Sequence, residues 1–265
     1  TGGNVNAEDG QAAEASVEIS ASGTWVAEDG TRSAGNIERL FAGTITGGRA
    51  NGEGALAHVN IHAANDIGKL YADRISGGRS DDGGYAYVDI LAEHDIVDLR
   101  AGTISGSGND TGGCDPAVQI QAVNDIKSLT ARRIVAGEDG VVNILAGLDA
   151  DGNVAGEENE NGEFEAGSIE SLVVGMVSGR GGLVNIAAGG DIEYLKACRI
   201  VSGDGEVNII AGDDINVDVR RVRSWRMQGE TGVEFHAGGE VNDMRNRIRD
   251  DFVHEGEPVE FPEPI

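Results

Sequence analysis

The chain has 265 residues, 42 of them glycine, with 4% aromatic content and a formal net charge of −26. A surface this acidic repels a phosphate backbone and excludes nucleic acid as a ligand class. No run approaches the ~20 apolar residues of a bilayer-spanning helix, so no membrane insertion is expected.

In chain order, Val5-Asn6-Ala7-Glu8-Asp9-Gly10 aligns with Ile134–Gly140, which predicts that the sequence opens inside a repeat. A first loose copy of a recurring unit starts at Val17. The unit is V-x-I-x-A-x-x-D-I-x-x-L-x-A-x-x-I-x-G, and its clearest copies start at Val59, Val88 and Val118. Looser copies start at Val142, Val184, Val207 and Val233, and Val259-Glu260-Phe261 opens one more before Pro262 interrupts it. Inside each unit apolar and polar residues alternate, as in Val184, Ile186 and Ala188, which is the signature of a strand with one buried face. Turn clusters such as Gly189-Gly190-Asp191 and Gly203-Asp204-Gly205 separate the runs.

Three short strands per unit cannot bury their own apolar face, whereas stacked units bury like over like in columns. The expected fold is therefore all-β: a single-stranded parallel β-solenoid of about eight coils, three short strands per coil, right-handed by strand sterics. The solenoid is expected over residues 1–240, with corner insertions at 22–35, 78–87, 107–117 and 147–167. Residues 241–265 form a cap or a junction. A capping helix is one expectation there, because Val241, Met244, Ile248 and Phe252 fall at helical spacing.

The segments Val184–Ile192 (VNIAAGGDI) and Val207–Ile215 (VNIIAGDDI) resemble the repeats of filamentous haemagglutinin-type bacterial adhesins and related surface solenoids. The resemblance implies a secreted, surface-displayed structural or adhesive rod, and hence an extracellular or cell-surface location. Surface polysaccharide is the ligand class for the adhesive alternative.

Catalysis has little support. The acidic pair Asp213-Asp214 is the best candidate for polysaccharide cleavage, but Asp214 sits at the position of Asp66, Asp95, Asp125 and Asp191 and no histidine accompanies it. No enzyme is expected. Stacked at one corner, the repeated aspartates repel unless each accepts amides of its own turn or cations lie between coils. Calcium is the one cofactor considered. Asp149, Asp151, Asn153, Glu157 and Glu160 place oxygen side chains at alternating and then wider spacing, within a stretch of seven carboxylates and no base at 147–167. Cys114 and Cys198 fall about three coils apart, too far for a bridge.

Charge is asymmetric along the chain. Residues 220–249 carry seven arginines (Arg220, Arg221, Arg223, Arg226, Arg245, Arg247 and Arg249) against four acids, and residues 1–60 carry eight acids against three arginines. Opposite charge at two open ends favours head-to-tail self-assembly, with Val5 and Ala7 meeting those arginines and Val259 and Phe261 pairing across the junction.

Overall fold

The computed structural model describes residues 4–6, 14–22, 25–26, 32–33, 35–51, 55–80, 85–106, 117–138, 140–149, 152–158, 164–180, 182–203, 205–223, 233–244, 253–256 and 261. Among the described residues there is no helix, and almost every strand is parallel to its neighbours. The first sheet holds nine strands: β2 (Glu14–Ala21), β7 (Leu56–Ala63), β10 (Tyr85–Ala92), β12 (Ala117–Ala122), β14 (Val141–Ala146), β18 (Val184–Ala188), β20 (Val207–Ala211), β23 (Val233–Ala237) and β25 (Val253–Glu255). The second contains β5 (Leu40–Thr46), β8 (Ile67–Ser76), β11 (Ile96–Ser105), β13 (Leu129–Glu138), β17 (Leu172–Arg180), β19 (Ile192–Ser202), β21 (Ile215–Val219), β22 (Val222–Arg223) and β24 (Val241–Asp243). Each repeat thus gives one strand to each sheet, and both sheets add rows in chain order.

Register follows from the repeat. Val17, Val59, Val88, Val118, Val142, Val184, Val207 and Val233 stand in one column of the first sheet, with Ile and Ala columns beside it. A slip by one residue would turn every one of these side chains outward, so burial fixes the pairing. Leu40, Leu70, Leu99, Leu129, Leu172 and Leu195 form the equivalent column of the second sheet. Both sheets feed one continuous apolar core, in which Ile61, Leu70, Ile90 and Leu99 are fully buried.

Two features differ from the sequence expectation. The second and third strands of a unit are continuous, running on as one strand in the ten residues of β8. There the period breaks: Leu70, Ala72 and Ile75 face inward, while Asp73 and Arg74 between them are both exposed. Pairing skips this position in every row, as Ala101 pairs with Ala72 and Thr103 with Arg74. The second difference lies at the end of the chain. Val241–Asp243 is strand rather than helix, pairing with β21, and Met244 is exposed.

A short third sheet consists of β1 (Asn4–Asn6), β6 (Arg49–Asn51) and β9 (Arg79–Ser80). Val5 pairs with Ala50 there, not with the Ile45 column that its alignment to Ile134 predicts. The chain enters this sheet through Gly48 and Gly78, whose φ values of 93° and 101° a residue with a Cβ rarely adopts. Insertions also build two antiparallel hairpins, β3 (Trp25–Val26) with β4 (Arg32–Ser33) and β15 (Gly156–Glu158) with β16 (Phe164–Ala166).

Candidate functional site

The corner aspartates form a ladder, and its direction differs from the expected one. Each side chain accepts the backbone amide of the same position in the following repeat, not an amide of its own turn. Asp66 Oδ1 accepts from Asp95 N at 3.3 Å, and Asp95 Oδ1 from Asp125 N at 3.1 Å. Asp125 Oδ1 accepts from Ser168 N, Asp191 Oδ1 from Asp214 N and Asp214 Oδ1 from Glu240 N, each at 2.8 Å. Ser168 stands in for aspartate in its row, its Oγ accepting from Asp191 N at 2.9 Å. Amide dipoles therefore separate the stacked carboxylates and offset their repulsion without a cation. Asp214, one of the two acids of the catalytic candidate Asp213-Asp214, is engaged in this ladder.

Asp66, His94 and Asp95 bring three potential metal-ligating atoms within 4.8 Å of one another. Their oxygens already have partners: His94 Nδ1 lies 2.7 Å from Asp66 Oδ1, and Lys127 Nζ lies 2.5 Å from Asp95 Oδ2. Burial pushes the Asp95 carboxyl up, but the Lys127 hydrogen bond, the Asp125 amide and His94 outweigh it and leave it below the usual range. The Lys127 ammonium is raised correspondingly by its hydrogen bond to Asp95. Lys127 thus pairs with Asp95 through Oδ2, while His94 lies 3.6 Å from Oδ1.

In the proposed calcium loop, the Asp149 carboxylate and Asn153 come together as acceptor and donor. Asn153 N donates to Asp149 Oδ1 at 2.9 Å, and Asn153 Nδ2 lies 3.2 Å from Asp149 Oδ2. The aspartate's oxygens are thus satisfied within the loop. Glu157 lies on β15 opposite Glu165, while Asp151 and Glu160 lie outside the described residues.

The outward face of the first sheet carries a second polar ladder. Asn208 Nδ2 donates to Asn185 Oδ1 at 3.0 Å, and Asn185 Nδ2 to Asn143 Oδ1 at 2.9 Å. Beside it Leu145, Leu148, Ala187 and Ile210 form a small outer apolar cluster, against which Phe261 packs. Phe261, the junction candidate, lies in no strand of this chain. Further up the column, Asn60 Oδ1 and Asp89 Oδ1 are buried without a hydrogen-bond partner. Burial raises the Asp89 carboxyl, with the charge of His62 opposing it.

Of the remaining assembly candidates, Arg220 and Arg221 are exposed beside β21 and β22, and Arg223 is the last residue of β22. Ala7, Arg226, Arg245, Arg247, Arg249 and Val259 lie outside the described residues, as does Cys114; Cys198 is a free, exposed thiol.

Residues that the sequence reading passed over line a groove of about 600 Å³ on the outward face of the second sheet. Phe41, Tyr71, Arg100 and Thr130 occupy one outward column in successive rows. The Phe41 and Tyr71 rings meet edge to face at 5.2 Å, and the Arg100 guanidinium lies 5.0 Å over the Tyr71 ring. Asp98, almost fully buried, accepts from Tyr71 Oη and from Arg100 Nε, the latter at 2.9 Å. The hydrogen bond to Asp98 raises the Tyr71 hydroxyl above its ordinary value. The available signal was the x between Leu and Ala in each repeat, where an aromatic or basic residue stands in the early copies. No family model, curated protein or solved structure matches this chain.

Proposed function

We propose that the chain is an extracellular, non-enzymatic structural rod, wound as one right-handed parallel β-solenoid of about eight coils. The observation that carries this reading is the alternation of strands between two sheets that add rows in the same chain order around one shared core. Such a chain passes from one face to the other and back once per repeat. The break in alternation at Asp73 and its equivalents would mark the third side of the coil. At about 4.8 Å per row the rod is on the order of 40 Å long. The acidic, lysine-poor composition and the adhesin-like repeats support a surface location.

One end bears on assembly. The amide that points along the axis at Ile37, Ile67, Ile96, Ile126, Ile169, Ile192 and Ile215 donates to a backbone carbonyl of the following repeat. At Val241 the acceptor is instead the side chain of Glu255, whose Oε1 lies 2.8 Å from Val241 N. We read Glu255 as a cap that takes the place of a further coil, since an open edge invites pairing. This favours a capped rod over the head-to-tail filament. The filament remains a second reading, favoured by the excess of acids over arginines in residues 1–60 and of arginines over acids in residues 220–249. Sedimentation velocity with electron microscopy separates the two. A capped rod runs as an elongated monomer across salt and calcium conditions, whereas filaments of many subunits would reject the cap and install the second reading.

A further inference from the structure

We propose that the groove on the second sheet is a binding site for a neutral glycan chain, with the Phe41 ring as its stacking platform and Arg100 as its hydrogen-bonding clamp. Phe41 is 60% exposed, an unusual cost for a ring that its outward position could have filled with any polar residue. Its edge-to-face neighbour Tyr71 is not free to move away. The Tyr71 hydroxyl is held by Asp98 and its face is covered by Arg100, which is itself tied to Asp98 through Nε. A nearly buried carboxylate therefore orients both the ring and the guanidinium, which is the kind of support a preformed site needs.

The groove is opened by small residues. Gly43 and Gly102 add no side chain to it, and the inward-facing Ala42, Ala72 and Ala101 line it beside them. A Cβ at Gly43 would meet nothing within 4 Å, so its neighbourhood is open space. At Gly102 an added Cβ would lie 2.4 Å from the Asp73 carbonyl oxygen, which keeps that row flush with the sheet.

The chemistry around this floor selects the ligand. One ring face is apolar, and Arg100, Asp73 and Thr130 supply donors and acceptors along its rim. A pyranose offers the matching surface: a C–H face for the ring and hydroxyls that both donate and accept. An anionic sugar fits poorly, because the Arg100 charge is already balanced by Asp98, Asp73 adds another carboxylate, and the whole chain carries −26. A peptide strand could pair only along β5, the edge row that carries Phe41, because the rows of Tyr71, Arg100 and Thr130 are interior to the sheet and have no unpaired backbone edge to offer. Successive rows stand about 4.8 Å apart, so Phe41, Tyr71, Arg100 and Thr130 form a track that runs across the strands.

The test is affinity electrophoresis of the full chain in native gels containing galactomannan, glucomannan, xyloglucan, mixed-linkage glucan or polygalacturonate. At least one neutral polysaccharide is expected to retard the parent, with a tenfold or greater loss of apparent affinity in Phe41→Ala and in Arg100→Ala and retention in Phe41→Tyr. Circular dichroism accompanies each variant. Should an alanine variant lose its β signal, Thr130→Arg, an exposed change that fills the groove, serves in its place. The proposal is overturned by the absence of retardation in every neutral gel, by retardation in polygalacturonate alone, or by equal retardation of the parent and the folded variants.

Discussion

Replacing Asp89 by asparagine should make the protein more stable, because it completes a ladder that the native sequence leaves broken. Asn60, Asp89, Gln119, Asn143, Asn185 and Asn208 occupy one outward column of the first sheet. In the later rows each amide donates to the preceding one at 2.9–3.0 Å. The Asp89 carboxylate has no donor to offer its neighbour, and Asn60 Oδ1 and Asp89 Oδ1 are both buried without a hydrogen-bond partner. An isosteric amide supplies the missing Nδ2–H to Asn60. Relieving an unsatisfied buried acceptor is worth about 1–3 kcal/mol, and removing a buried charge adds to that at neutral pH. The sign of the pH dependence follows from burial raising the Asp89 carboxyl. The folded state then binds that proton more tightly than the unfolded state, so native stability falls as pH rises from the ordinary carboxylate value to the raised one. The variant lacks this slope. Urea denaturation at several pH values should show a gain of about 1–3 kcal/mol at pH 7 that shrinks as pH drops through that window. An Asn variant equal to or weaker than the parent at pH 7, or a gain independent of pH, would refute the reasoning.

Asp95→Ala removes the partner of Lys127 and the acceptor for the Asp125 amide, and should cost about 2–3 kcal/mol in urea midpoint experiments. Because the Asp95 carboxyl is held low, that difference should be complete above the usual carboxylate range and vanish as pH falls through its lowered value. Glu255→Ala should speed hydrogen exchange of the Val241 amide and promote self-association, as read by native-state exchange and sedimentation; an unchanged Val241 rate would remove the cap. Asp149→Ala should leave calcium uptake in titration calorimetry unchanged, since Asn153 already satisfies that carboxylate; an uptake that disappears would restore Asp149 as a ligand.

The repeat made the columns legible. Val at one position and Ile two residues later specify one buried face, and in-register stacking follows because any slip exposes the whole set. The position of Asp66 and its equivalents was legible as a turn, yet the direction of its hydrogen bond was not, since only the stacked arrangement puts the next repeat's amide within reach. The lost alternation at Asp73 divides two short strands in the sequence pattern, whereas β8 runs through it as one strand. Phe41, Tyr71 and Arg100 escaped notice because each is an ordinary surface residue within its own copy, and only pairing across 30 residues of sequence brings the first two together. Of the C-terminal helical pattern, Val241 instead joins the Ile column of the second sheet, where pairing with β21 overrides the local spacing, and Ile248 and Phe252 lie outside the described residues.

The stack itself is tested most directly by pulsed electron–electron resonance between spin labels in one outward column. With Cys114 and Cys198 replaced by serine, labels would be placed in pairs at Arg199 with Thr103, Arg74 or Thr44, which the register separates by three, four and five rows. A continuous in-register stack predicts distances of about 14, 19 and 24 Å, rising by one strand spacing per row. Distances that fail to rise by a constant step of about 4.8 Å would contradict it.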